Sequence, residues 1–221
     1  MVSWRRRAVR IHPPRWWERF WEWVRGRDQL VVHPPESLPL LLITYPRGSH
    51  EVARELESVY RNVLPHLPAS LMERYREVLR ALPAVMVLTL RRRNLCGCLG
   101  HCHPRGAESS LARRLASELG GRERVAEVDL AYEAIQEWRP KPLAALAAQQ
   151  ADPTVARLHF RAALLAVLLH ELEHVAFPER GEGIVRQASD ELYSEVMAEL
   201  VRRGGGHGFR MSDVEELPSR E

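Results

Sequence analysis

The chain has 221 residues, 45% hydrophobic and 28% charged, which excludes a disordered protein and leaves room for a sizeable core. No apolar run reaches the ~18 residues needed to cross a bilayer, and the arginine-rich start lacks the apolar stretch of a secretory signal, so a cytoplasmic location is expected. The net charge of +3 is uneven: residues 1–27 carry eight arginines against Glu18 and Glu22, whereas from His170 onward twelve acids face six arginines.

Residues 1–28 hold five of the six tryptophans and form a basic N-terminal segment, distinct from a single domain over 29–221. Pro14 opens a short helix there with Trp16, Trp17, Phe20, Trp21 and Val24 on a broad apolar face. That face either packs on its own domain or serves a membrane surface or nucleic acid, since Trp and Arg suit both.

Two apolar runs bounded by prolines, Leu30–Val32 and Leu40–Tyr45, read as strands. Residues 49–63 read as a helix capped by Ser49. Residues 70–82 read as another, with Ser70 and Glu73 as a capping box. Ala84–Leu90 is a strand, followed by Arg91, Arg92, Arg93 and a loop rich in Cys and His. A helix over 109–119 ends at Gly120 and Gly121. Val125–Tyr132 alternates apolar and acidic residues, as an edge strand does, and residues 139–150 form a connector. Asp152 and Pro153 start a long helix that runs to Pro178, and a last helix spans Ser189 to Arg203. The order predicts an α+β fold: a small mixed sheet, then two helices.

The long helix contains His170-Glu171-Leu172-Glu173-His174, the H-E-x-x-H pattern associated with metalloproteases. Residues four apart share a helical face, so both imidazoles can meet one zinc ion, with Glu171 beside the open position as general base. The run Ala162–Leu169 is nearly all apolar, so four ionisable groups at its end call for partners. A catalytic zinc needs a third protein ligand. Glu191, Glu195 and Glu199 repeat every four residues on the last helix; Glu195 is the leading candidate and Glu191 the alternative. His159 reads as a hydrogen-bonded helix residue and not a ligand.

The motif followed by a helix bearing Glu195-Val196-Met197-Ala198-Glu199 resembles the gluzincin, or thermolysin-like, zinc metallopeptidases over residues 153–203. The resemblance implies zinc held by His170, His174 and Glu195, with Glu199 supporting a histidine. It also implies hydrolysis of a peptide or protein substrate by activated water, with Glu171 moving the proton. His207 is a weak candidate donor to the transition state, and Val125–Tyr132 would align an extended peptide.

Cys96, Cys98, His101, Cys102 and His103 fall within eight residues. Odd in number and clustered, the cysteines argue against a disulfide scaffold. The loop is inert, or holds a second structural zinc, or places a sulfur on the catalytic zinc and keeps the enzyme latent. An alternative from a different class is a non-catalytic, metal-stabilised binding module. Its Arg91–Arg93 and Trp/Arg N-terminus would hold nucleic acid or an anionic surface.

Overall fold

The structure is a computed structural model that describes residues 26–33, 38–67, 69–103, 108–138 and 153–204. The expectations placed on residues 1–25, on the 139–150 connector, on Asp152 and on His207 lie outside the described residues. Among the described residues, no helix is long and apolar enough to cross a membrane.

Five strands form one mixed sheet: β1 (Arg27–Val32), β2 (Leu40–Pro46), β3 (Val85–Arg91), β4 (Gly100–Cys102) and β5 (Val125–Ala131). Their order is β1-β2-β3-β5-β4. The pairs β2/β3 and β3/β5 are parallel, whereas β1 and β4 run antiparallel at the two edges. The helices are α1 (His50–Ser58), α2 (Ala69–Ala81), α3 (Ser110–Leu119), α4 (Tyr132–Glu137), α5 (Pro153–Ala176) and α6 (Glu182–Gly204). The α+β architecture expected from the sequence is present.

Parallel strands are covered on both faces, which explains the near-continuous apolar sequence of β3. On one face, Leu41, Ile43, Met86, Leu88, Val128 and Leu130 pack with α1, α2, α5 and α6 in the main core. On the other, Leu42, Val85, Val87 and Val125 meet Ala112, Leu115 and Ala116 of α3. Ser109 caps α3, accepting from the Ala112 N–H at 3.1 Å, and Gly120 ends it in the left-handed region at φ 84°. Leu164, Leu165, Leu168 and Leu169 of α5 are wholly buried, each contributing about 1.5–3 kcal/mol.

Two sequence expectations are corrected. Val125–Tyr132 is not an edge strand: β5 lies between β3 and β4 and is buried along its whole length. Its alternating acids are satisfied inside the protein. Glu127 accepts the Glu108 and Ser109 N–H groups at 2.7 and 2.9 Å at the start of α3, and Asp129 accepts Arg91 at 2.7 Å. The edge beside α5 is β4, formed from the Cys/His loop. The last helix begins not at Ser189 but at Glu182. The turn Phe177–Gly181 is too short to carry the chain away, so α6 folds straight back along α5.

His103, just after β4, faces Asp129 at 3.8 Å and Glu108 at 3.0 Å, and these carboxylates, Asp129 foremost, raise its pKa against the opposing effect of burial. Burial alone would push the Asp129 carboxyl up, but His103 and Arg91 outweigh it and hold it below the ordinary range. The histidine's contribution is complete below its unfolded pKa of about 6.5 and is lost as pH rises through the raised folded value. The aspartate's contribution is present above about 3.9 and is lost as pH falls through the lowered one. His103→Ala should therefore lower the melting temperature more at about pH 5.5 than at about pH 9, as thermal melts at the two pH values would show.

Candidate metal centre

The C-terminal turns of α5 carry the motif to the edge of the core. His170 and His174 lie one turn apart, with ring centroids 4.9 Å apart. The turn back into α6 delivers Glu182, whose Oε2 lies 3.5 Å from His170 Nε2 and 3.1 Å from His174 Nε2. Among the described residues, His170, His174 and Glu182 are the group whose ligand atoms gather, all within 4.8 Å of one another. Arg186, one turn later, bonds the other carboxylate oxygen at 3.3 Å and orients the group.

The donor set fits zinc. Two imidazole nitrogens and a carboxylate oxygen are a common catalytic set. Around an ion with bonds of about 2.05 Å, tetrahedral ligands lie about 3.3 Å from one another, close to both Glu182 separations. The Glu182 side chain is 58% exposed, so the site faces solvent on the side where a fourth ligand would enter.

The second nitrogen of His170 is also accounted for. Ser189 Oγ lies 3.0 Å from His170 Nδ1 and donates its own hydrogen to the Val185 carbonyl at 2.8 Å. The hydroxyl can only accept from the ring, so Nδ1 carries the proton and Nε2 presents its lone pair to Glu182. Burial lowers the His170 pKa, against the pull of Glu182, and favours the neutral form that binds metal. Burial raises the Glu182 carboxyl, but the two imidazoles and Arg186 outweigh it and keep the carboxyl below its usual range.

Glu171, the residue after His170, packs against Gly100 of β4. It is 5% exposed. Burial, and then the Glu182 charge, push its carboxyl up to about 8, while the nearby Cys102 backbone and His103 act the other way. Glu173 takes no part in the site. It is buried and paired with Arg180 at 2.7 Å, and the Arg180 guanidinium lies 3.9 Å over the Phe177 ring.

No protein-family model matches the chain, and neither a curated protein nor a solved structure matches it. Function is therefore read from the geometry of the site.

The structure gathers His170 and His174 with Glu182, but it does not bring Glu195 to them. Glu195 is exposed, thirteen residues beyond Glu182, or about 20 Å further along the helix. The physical reason is the early start of α6: its first turn, not its fourth, stands beside the histidines. Glu191 is likewise exposed, accepting from Gln187 at 3.0 Å. Glu199 lies in α6, with its side chain outside the described ones. His159 is a structural histidine, bonded to the Tyr193 hydroxyl and to the Trp138 carbonyl.

The Cys/His loop does not gather into a metal cluster. Cys96 and Cys98 form a disulfide, where the sequence pointed to reduced thiols, and Cys102 is free. Strand alternation separates the remainder: Gly100 and Cys102 pair with Leu130 and Val128 on the α5 side, while His101 pairs with Asp129 on the opposite side. Burial, and then the Glu171 and Glu182 charges, push the Cys102 thiol up to about 11, and its sulfur is not among the gathered donors. Arg91, Arg92 and Arg93 each meet a carboxylate, on Asp129, Glu133 and Glu137, so their charge is matched locally.

Sequence reasoning missed Glu182 and Ser189. The available signals were the turn residues Pro178 and Gly181, the acid just after them, and apolar Val185 and Ala188, which extend the helical period of Leu192 and Val196 toward the N-terminus. Glu182→Ala should weaken zinc binding more than any other single change outside the histidines, and Glu195→Ala should leave it unaltered. Ser189→Ala should weaken it about 10- to 100-fold by releasing the His170 tautomer. Chelator-competition titrations would measure all three, and a larger loss in Glu195→Ala than in Glu182→Ala would overturn the ligand assignment.

Proposed function

We propose that the protein is a zinc-dependent metallopeptidase in which His170, His174 and Glu182 hold the metal and Glu171 is the general base. The observation that carries this reading is that two imidazole nitrogens lie 3.5 and 3.1 Å from one carboxylate oxygen, all three within 4.8 Å, beside a buried carboxyl not needed to hold an ion. A purely structural zinc site has a closed ligand shell and no use for that carboxyl. The reading keeps the gluzincin donor set, two histidines and a glutamate, but draws the glutamate from eight residues after His174 and not twenty-one.

Bound zinc would lower the pKa of its water and polarise the scissile carbonyl. The rest falls to the chain. Glu171 takes the proton from the attacking water and delivers it to the leaving nitrogen. Ser189 keeps His170 in the ligating tautomer, and Arg186 keeps one Glu182 oxygen turned toward the imidazoles.

The test is hydrolysis of a mixed peptide pool by the zinc-loaded chain, followed by mass spectrometry. Wild type should cleave, lose activity to a chelator and regain it with zinc. Glu171→Gln should retain zinc and lose about 100- to 10,000-fold in rate, since an amide cannot accept the proton. Full activity in Glu171→Gln would remove Glu171 as base, and a wild type that binds zinc without cleaving any peptide would overturn the peptidase reading.

A further inference from the structure

We infer that Gly100 is a positioning residue for the Glu171 carboxylate, a role that rests on Glu171 acting as the base proposed above. Gly100 opens β4 and pairs with Leu130, so the direction a side chain would take leads into the core, toward α5. That space is taken by Glu171. A Cβ built on Gly100 would lie 2.6 Å from Glu171 Cγ and 2.7 Å from Cδ, and closer still to Oε1. Carbon–carbon contact is comfortable at about 3.5–4.0 Å, so any side chain at position 100 overlaps the base. The backbone of Gly100 is not in the left-handed region, and what glycine supplies here is room, not conformational freedom.

Two residues on, the Cys102 backbone lies near the same carboxylate and favours its charged form. Between them His101 turns to the far face, opposite Asp129. From β4 the carboxylate thus meets a missing side chain at Gly100 and the backbone of Cys102. The strand cannot easily yield. It is hydrogen-bonded along β5, and the flanking bonds from Ala131 N–H to the Leu99 carbonyl (2.8 Å) and from His103 N–H to the Glu127 carbonyl (2.9 Å) extend the hold past both ends. Added bulk at Gly100 would therefore displace the Glu171 carboxylate and leave the strand in place. The atoms nearest that Cβ all belong to Glu171 and none to His170, His174 or Glu182.

The experiment compares wild type, Gly100→Ala, Glu171→Ala and the double variant as full chains loaded with zinc alone. Gly100→Ala should lower the melting temperature by about 5 °C when Glu171 is present and by less than about 1 °C when it is Ala, because the removed side chain frees the space. Zinc affinity should stay within about twofold, and kcat on peptides that wild type cleaves should fall about 100-fold with little change in KM, as expected for a base displaced by about 1 Å. Equal thermal penalties in both backgrounds, or full kcat in Gly100→Ala, would overturn the inference. If Gly100→Ala alone does not fold, the double variant decides: a folded double variant supports the contact and an unfolded one overturns it. A wild type that cleaves no peptide would defeat the peptidase reading by itself, and the thermal coupling would then decide whether Gly100 positions Glu171.

Discussion

One turn of helix sets the terms for the whole molecule. From His170 to His174, α5 carries four ionisable side chains directly after a run of buried leucines, and each must find a partner or pay heavily in desolvation. Each does, and the partners come from every side. Ser189 of α6 meets His170, the backbone of β4 meets Glu171, Arg180 of the connecting turn meets Glu173, and Glu182 at the start of α6 meets His174. The hairpin of α5 and α6, the tight turn between them and the short edge strand all answer that requirement.

The four partnerships differ in kind. Glu173 is neutralised by a guanidinium that also lies on an aromatic ring, which is the arrangement of a structural ion pair. The ring nitrogens of His170 and His174 gather on one carboxylate, a set of donor atoms that could hold a cation. Glu171 is the least well satisfied: burial outweighs the nearby Cys102 backbone and His103, and its carboxyl is pushed up to about 8. A buried carboxyl with so raised a pKa is costly to keep, and such groups cluster where chemistry is done. A nearby dication would reverse that balance, since its charge favours the ionised form.

Much of the fold was legible in the residues. The β-branched and apolar runs marked β1, β2 and β3, the Ser109 and Gly120 caps bounded α3, and the stretch from Pro153 to the residue before Pro178 marked α5. The motif placed two histidines on one helical face, with a glutamate beside them, because four-residue spacing is a local property. Two features read differently in three dimensions. Val125–Ala131 has the alternation of a half-exposed strand, but its acids face a helix start and an arginine instead of water, so the same pattern served an inner strand. The three glutamates of the last helix form a regular row, but regular spacing says nothing about which turn of that helix stands beside α5.

The sequence by itself determined what short-range physics controls: the element types, the helical caps, the α+β class and the facing of His170 and His174. Only the tertiary structure decided which carboxylate joins them, because that depends on where α6 begins and on a five-residue turn that reverses the chain. It also decided that the Cys/His loop becomes an edge strand, turning Cys102 toward the base and His101 away from it. Glu182, Ser189 and Gly100 reach the site through helix packing and strand pairing, whose register is set by the buried faces of several elements at once.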